Sequence, residues 1–225
     1  MVDKPRDKIK GKLVEKYILH GEKKAYKMGK NRSLIPAKTK TCSSRKCWYQ
    51  LPDIAPSRIL WQKAFDIYHR HYLVNHEVPA NQRFYHIYSE HAKDIEIVAA
   101  FLNSPLVSLY LEFQRAIMGL GAIEATVEEV KQTLVINPKV VKASTRSRLA
   151  KELSRLGQRE VRSIFDEFGA SSPEEASLDK IKPDRRELDK IIMGEILGLS
   201  DEEQLEVYRA VVDLVKSRIG RAKSI

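Results

Sequence analysis

Residues 95–105 read Ile-Glu-Ile-Val-Ala-Ala-Phe-Leu-Asn-Ser-Pro, and at this stretch the pattern of the sequence changes from strand to helix. Ile95, Val98 and Leu102 recur at helical spacing, which predicts a helix with one buried face. The Asn-Ser-Pro that follows predicts the end of this helix and the beginning of a second one, because proline suits a first helical turn. We expect the second helix to run to about Met118, where nearby glycines end the pattern.

Short strands are predicted upstream of this helix. Residues 58–61 predict a short strand, and residues 68–72 and 83–88 are rich in aromatic side chains and alternate, which also favours strands. Residues 47–51 predict a further short strand. Residues 75–81 predict a turn or loop, because they contain one Pro and two Asn.

Downstream, one more strand is predicted at residues 133–136, and after it periodic apolar residues predict helices only. Capping boxes are predicted at residues 172–175 and 200–203. The sequence therefore predicts an α+β fold, in which a mixed strand and helix module precedes an all-α C-terminal part. We expect a basic domain at residues 1–140 and a helical domain at residues 141–225.

Positive charge is concentrated at the N-terminus. Of the net charge of +10, residues 1–50 contribute 15 Lys or Arg against 4 Asp or Glu, and the remainder is close to neutral. A short helix is predicted at residues 9–19, where Gly21 interrupts it, and an irregular surface segment follows. This asymmetry favours nucleic acid as partner. A membrane surface would need an amphipathic helix with a large apolar face, and residues 20–47 have few apolar residues.

The sequence contains no stretch near the roughly 18 uninterrupted apolar residues of a membrane span, and no apolar segment of a secretory signal follows the basic start. We therefore expect a cytoplasmic protein without a membrane partner. Two cysteines cannot form a disulfide framework for a chain of this size, and free thiols suit a reducing compartment.

Candidate DNA-binding residues follow from charge and from base-pairing chemistry. Long cations of the basic segment can reach phosphates and release counterions: Arg32, Lys38, Lys40, Arg45 and Lys46. Side chains that can pair with base edges lie in or beside predicted loops: Arg58, Asn75, Asn81 and Arg83. Aromatic side chains could stack on bases, but on alternating strands they belong mainly to the core and the sheet surface, and we expect Trp48 to be buried.

A zinc site and a nucleophile are both disfavoured. Cys42, Cys47, His69 and His71 could offer four ligands, but their spacing does not match a zinc knuckle or a helical histidine pair. No serine or cysteine motif around these histidines marks a nucleophile. We therefore predict no metal, no cofactor and no catalytic residue in this chain.

Three segments together resemble the C-terminal region of adenine-specific DNA methyltransferases, including the fused restriction and modification enzymes of the type IIG kind. The first segment is Cys-Trp-Tyr-Gln-Leu at residues 47–51, followed by Ala-Pro at residues 55–56. The second comprises residues 99–105, Arg115, residues 119–121 and residues 134–138. The third is a helical ending with Arg186, Asp189, residues 197–199, Tyr208 and Arg218. The resemblance covers about residues 45–225, and the basic N-terminal segment matches only loosely.

The resemblance implies a target-recognition domain that reads bases across a DNA-binding cleft, while a catalytic domain holds the flipped adenine. Such catalysis needs a glycine-rich loop for S-adenosylmethionine and an Asn/Asp-Pro-Pro-Tyr/Phe element, and neither is present here. Asn137-Pro138 is followed by Lys139 instead of a second Pro. We therefore predict a noncatalytic module that binds double-stranded DNA and works with a catalytic methyltransferase domain or subunit.

Two alternatives follow from the same residues. Basic residues interleaved with aromatics would also suit a binder of single-stranded RNA or DNA. The histidine and tyrosine cluster could instead form an active site of an unrecognised enzyme.

Overall fold

The computed structural model describes residues 4–29, 32–50, 54–113 and 121–223, and the chain divides into two compact units. We call Met1–Ile54 the basic unit and Ala55–Ile225 the main unit. The division falls after Ile54. The boundary expected near residue 140 lies inside the main unit and stays a prediction.

The basic unit combines three short helices with one hairpin. In chain order it contains α1 (Arg6–Ile9), α2 (Leu13–Lys23), β1 (Tyr26–Met28), β2 (Arg32–Leu34), a 3-10 turn at Pro36–Lys38, and α3 (Lys40–Ser43). The strands β1 and β2 pair antiparallel. The prediction that Gly21 ends the first helix was wrong, because α2 continues through this residue to Lys23.

Five strands form two sheets in the main unit. They are β3 (Ser57–Gln62), β4 (Ala64–Phe65), β5 (His71–Val78), β6 (Phe84–Ile87) and β7 (Ile123–Glu124). Three of them form an antiparallel sheet in the order β5-β3-β6, and β4 pairs with β7. In this register Ile59 faces Leu73 on one side and Ile87 on the other. Because side chains alternate along a strand, Ile59 and Trp61 point together into the core.

The helices of the main unit follow the sheet. They are α4 (Ile95–Leu102), α5 (Pro105–Phe113), α6 (Val127–Gln132), α7 (Ala143–Leu156), α8 (Ile164–Phe168), α9 (Pro183–Asp189), a π-helical turn at Lys190–Ile196, and α10 (Asp201–Lys223). Every regular element described after residue 137 is helical. The fold is therefore α+β with a helical C-terminal part, as predicted.

Two apolar clusters hold the main unit together. The first joins the sheet to α4, α7 and α9 through buried residues such as Trp61, Leu149 and Leu188. The second lies under α10, where Tyr208 packs edge-on against Phe168 at 4.8 Å between ring centroids. The first cluster draws residues from both sides of position 140, so the helical C-terminal part and the sheet share one core.

The strand predictions had mixed outcomes. Those at residues 58–61 and 83–88 are confirmed by β3 and β6, whereas the prediction at residues 68–72 holds only from His71 onward. The turn or loop predicted at residues 75–81 was wrong at residues 75–78, because β5 continues to Val78. The prediction for residues 47–51 was wrong over the described part, which consists of turns, and residues 133–136 are not a strand. Leu134 is 83% exposed. A short apolar run without a pairing partner does not form a sheet.

Helix boundaries depended on local capping. The predicted break at Asn-Ser-Pro is confirmed, while the predicted end near Met118 lies outside the described residues. The capping box of α10 is also confirmed, since the Ser200 N–H donates to Glu203 at 2.7 Å and the Glu203 N–H donates to Ser200 Oγ at 3.2 Å. The capping box predicted at residues 172–175 was wrong, because Ser172 makes no capping hydrogen bond. A capping box at Thr126 that the sequence pattern did not predict begins α6.

Within the described ranges, no single helix is long and apolar enough to cross a membrane. One pair of consecutive helices, Ala92–Leu102 and Pro105–Phe113, has the length and composition of a membrane span only when both are taken together, and the two are bent by 61°. Its apolar face is accounted for by the protein core, where Ala100 and Leu111 are fully buried.

Candidate nucleic-acid interface

The basic unit carries all of the net charge of the chain. Met1–Ile54 contains 15 Lys or Arg against 5 Asp or Glu, whereas Ala55–Ile225 contains 25 of each. Nearly all of its described cations are exposed, and only Arg6 forms an ion pair among the residues that the structure describes there, with Glu22. The unit therefore presents cations to solvent that its own carboxylates do not neutralise.

Trp48 and Tyr49 hold this unit together. The Trp48 ring lies so close to Gly21 that a Cβ there would come within 2.7 Å of it, and its Nε1 donates to Glu22 at 3.1 Å. The Tyr49 hydroxyl donates to the Lys4 carbonyl at 3.1 Å. The hydrogen bond from Arg6 holds the pKa of Glu22 below its usual value. Trp48 is half-buried, so the expectation of full burial was too strong.

The structure groups some of the predicted phosphate-binding cations. Arg32 on β2 and Lys38 line a shared groove of about 390 Å³, and Lys40 begins α3 next to it. Lys46 is exposed. Arg45 is different, because it is half-buried and its Nη1 donates to the Gln50 carbonyl at 2.9 Å. Arg32 and Lys38 are thus placed to act on one ligand, while Arg45 has a structural partner.

A cleft of about 430 Å³ in the main unit brings together two of the predicted base-reading residues. Arg58 on β3 and Asn75 on β5 both line it. An irregularity in the pairing of β3 with β5 occurs between Ser57 and Ile59, and there Arg58 Nε donates to the Val74 carbonyl at 3.1 Å. This hydrogen bond fixes the guanidinium at the cleft wall.

Asn81 and Arg83 lie away from this cleft, on the exposed turn that precedes β6. Asn81 Oδ1 accepts a hydrogen bond from the Arg83 N–H at 2.9 Å. The Arg83 carbonyl accepts one from the Lys63 N–H at 3.0 Å. Asn81 therefore has a local role in shaping the turn, and the Arg83 guanidinium stays exposed.

The opposite side of the cleft contains polar residues that the sequence pattern did not indicate. Glu96 on α4 and Ser154 on α7 line the cleft, as does Gln158 just after α7. A carboxylate can accept from the amino group of cytosine, and an amide can pair with adenine. No local pattern marks these residues, because the cleft unites segments that are far apart in sequence.

Asn103 connects the sheet to the helices at the base of this cleft. Its Oδ1 accepts from the His71 N–H at 3.0 Å, and its Nδ2 donates to the His71 carbonyl at 3.1 Å and to the Ala99 carbonyl at 2.9 Å. The Asn103 carbonyl accepts from Arg185 of α9. The Asn-Ser-Pro element thus satisfies backbone groups at the beginning of β5 and the end of α4, which sets the cleft geometry.

The histidines considered for an active site lie in the interior. His69 and His71 are 6% and 7% exposed. His71 packs against Trp61 at 4.3 Å between ring centroids, and His69 Nε2 lies 2.9 Å from Glu112 Oε1. In the part of the chain that the structure describes, no three His, Cys, Asp or Glu residues are grouped so as to hold a metal ion.

Glu112 is the centre of a buried charge cluster. Arg218 of α10 donates to it at 2.8 Å from Nε and at 2.7 Å from Nη2. Burial opposes ionisation most strongly, yet the hydrogen bonds from His69 and Arg218 together hold the pKa of Glu112 below its usual value. This cluster is therefore a structural anchor between α5 and α10.

Comparison with known protein families identifies the chain. It belongs to the family described as "Type II methyltransferase M.Eco57I, C-terminal domain", which matches residues 2–168. This confirms the resemblance to the C-terminal region of adenine-specific methyltransferases, and it includes the basic segment that the resemblance covered only loosely. The helical ending, from residue 169 onward, lies outside the match. No curated protein and no solved structure matches the chain.

Proposed function

We propose that this chain is the DNA-reading module of an adenine-specific methyltransferase of a restriction-modification system, and that it works with a catalytic domain or subunit. The observation that carries this proposal is the concentration of exposed and unneutralised cations in the basic unit. Cations of this kind bind the DNA backbone by releasing condensed counterions. Family membership supports DNA as the partner, because the family is one of type II methyltransferases.

The two units supply complementary contacts. Phosphate contacts position a protein on DNA without reading its sequence, and the basic unit offers Arg32, Lys38, Lys40 and Lys46 for this purpose. Base edges are read by side chains that pair with them. Arginine pairs with guanine and asparagine with adenine, so Arg58 and Asn75 in the cleft are the best candidates for specificity, with Arg83 on the exposed turn before β6 as a further one.

The first prediction concerns the salt dependence of DNA binding. The variant K38Q/K40Q/K46Q should bind a labelled random-sequence duplex more weakly than the wild type, because it lacks up to three cations that bind phosphates. In a fluorescence-anisotropy titration over a salt series, the slope of log K against log salt should become shallower by about 0.9 for each phosphate that is no longer neutralised. The control K190Q/K216Q/K223Q removes three exposed lysines outside the family match and should retain the wild-type slope.

Each result of this titration has a separate meaning. Equal slopes in all three proteins would exclude these lysines as phosphate-binding residues. An absence of binding by the wild type at low salt would overturn the DNA-reading proposal. Stronger competition by single-stranded DNA than by duplex would favour the alternative of a single-strand binder.

The second prediction concerns the cofactor. Because Asn137-Pro138 lacks the second Pro and the aromatic residue, and because no glycine-rich nucleotide loop is present in the sequence, we infer that this chain alone transfers no methyl group. Calorimetric titration with S-adenosylmethionine should give no saturable heat. Saturable binding with one site per chain would contradict a purely DNA-reading role.

A further inference from the structure

The neutral total charge of the main unit conceals a strongly basic segment. Residues 139–162 contain 8 Lys or Arg against 2 Asp or Glu, so the rest of the unit is acidic by the same margin. This segment includes α7 and lies within the residues that match the family. A second surface that attracts anions is therefore present outside the basic unit.

The two sides of α7 differ in chemistry. Leu149, Leu153 and Leu156 are buried and pack into the first apolar cluster. Away from them, Ser147, Lys151 and Ser154 lie at helical spacing of four and three residues, Gln158 follows just after the end of the helix, and all four are exposed. Residues at these spacings share one face of a helix. We call these four residues the α7 stripe.

The α7 stripe runs along the edge of the cleft that holds Arg58 and Asn75. Two of its members, Ser154 and Gln158, line that cleft directly. Lys151 lies one turn away from Ser154 on the solvent side and has no acidic partner among the described residues. The α7 stripe thus forms a polar and positively charged edge of a cleft that contains side chains able to pair with bases.

Two arginines extend this edge further into solvent. Arg148 and Arg155 are 52% and 56% exposed in their side chains, with acidic neighbours at 2.8 Å and 3.6 Å respectively. The pair of Arg148 with Glu195 is exposed, and pairs of this kind contribute roughly 0–1 kcal/mol, so a phosphate can replace that carboxylate. The partner of Arg155, Glu152, is mostly buried, but the Arg155 guanidinium itself is exposed. Lys151, Arg148 and Arg155 together form a row of exposed cations.

We propose that the α7 stripe and its neighbouring arginines are a second phosphate-binding surface for duplex DNA. Binding of the DNA backbone there would place a groove of the DNA over the cleft. The inference rests on the proposed DNA-reading function and deepens it. The 14 residues of α7 rise about 21 Å, which is enough to follow several phosphates of one strand. Lysine, serine and glutamine are among the side chains that commonly donate to phosphate oxygens.

The position of the Glu96 carboxylate indicates that DNA phosphates bind at the α7 stripe and that bases enter the cleft. Glu96 lines the cleft but not the stripe, and a carboxylate would repel a phosphate at that position. The same carboxylate can accept a hydrogen bond from the amino group of a base. The α7 stripe itself has no apolar side chain. A membrane or an apolar protein partner would require such side chains.

The test uses the full chain and a labelled random-sequence duplex. The variant K151Q/R155Q removes two cations from this edge of the cleft, and K216Q/R221Q removes two exposed cations from α10 as a matched control. We expect K151Q/R155Q to make the salt slope shallower by about 2 and the control to leave it unchanged. The melting temperature of both variants should stay close to that of the wild type, because all four side chains are exposed and the contact of Arg155 with Glu152 is long, at 3.6 Å.

The outcomes separate this inference from the proposed function. If K151Q/R155Q keeps the wild-type slope while K38Q/K40Q/K46Q makes it shallower, the α7 surface is overturned and the DNA-reading function stands. If the wild type does not bind duplex DNA at all, both are overturned. A variant that carries all five substitutions tests whether the two decreases in affinity, from K151Q/R155Q and from K38Q/K40Q/K46Q, add together. Additive decreases would support two independent phosphate-binding surfaces.

Discussion

Replacing Arg218 with methionine is expected to lower the free energy of unfolding by about 3–5 kcal/mol, because it leaves a buried carboxylate without its cation. The Glu112 side chain is 1% exposed and that of Arg218 is 3% exposed. Arg218 also donates to the Asp66 carbonyl at 2.6 Å and to the Gly121 carbonyl. One side chain therefore satisfies a buried carboxylate, the buried Gly121 carbonyl and the partly buried Asp66 carbonyl.

Urea denaturation followed by circular dichroism measures this effect. The control Arg221→Met lies one turn further along α10 at an exposed position, and it should stay within about 0.5 kcal/mol of the wild type. The double variant E112Q/R218M should lose less stability than the sum of the two single variants, since it removes the charge and its partner together. An R218M protein as stable as the Arg221→Met control would show that Glu112 is satisfied in another way.

The position of Arg218 gives the C-terminal segment a structural role. Arg218 lies outside residues 2–168, which match the family, whereas Glu112 and Gly121 lie inside them. In the second apolar cluster, Tyr208, Val211 and Val212 of α10 are fully buried. The helix α10 is therefore part of the main unit's core, and its removal would expose apolar surface that the matched region alone cannot cover.

The fold class was predictable because its signals are local. The apolar period of residues 95–102 and the Asn-Ser-Pro stop determine α4 and the beginning of α5, and the Ser200 capping box determines the beginning of α10. Each of these signals lies within a few residues of its effect. The predicted strand at residues 133–136 failed because a strand depends on a partner that the local sequence does not contain.

The candidate site was predictable only in pieces. Arg58 and Asn75 were chosen separately as residues in or beside predicted loops, and the sequence does not show that β3 and β5 place them in one cleft. Glu96 and Gln158 line the same cleft, although these two residues are more than 60 positions apart in the chain. The basic character of α7 was also hidden, since the acidic residues of the remaining main unit cancel it in any total.

Asp189 is expected to make the main unit lose stability as pH rises. It is fully buried, and burial raises its pKa to about 6, although Arg185 and the Tyr208 hydroxyl favour its charged form. The Tyr208 hydroxyl donates to it at 2.8 Å, and Arg185 Nη1 lies 3.5 Å away. In an unfolded chain an aspartate has a pKa of about 3.9. Between these values the folded protein binds more protons than the unfolded one, so its stability falls with increasing pH.

The variant Asp189→Asn isolates this effect, because asparagine has nearly the same shape and cannot ionise. The difference in unfolding free energy, variant minus wild type, should rise by about 2 kcal/mol between about pH 4 and about pH 7, because only the wild type has a carboxyl group at position 189 that can ionise. Glu112 and Asp184 have lowered pKa values, so the stability that they contribute is lost as pH falls. Because both proteins contain them, their effect cancels in the difference.

Urea denaturation at a series of pH values measures this difference, and Asp213→Asn on the exposed side of α10 accounts for the removal of one surface carboxylate. A difference that stays constant over the whole range would mean that Arg185 keeps Asp189 ionised in the folded protein throughout. A rise between about pH 4 and about pH 6 that levels off at higher pH would instead show that the core under α10 tolerates this carboxyl group mainly in its neutral form. The stability of the helical part would then be greatest in mildly acidic solution, where Asp189 is protonated and the paired carboxylates are still charged.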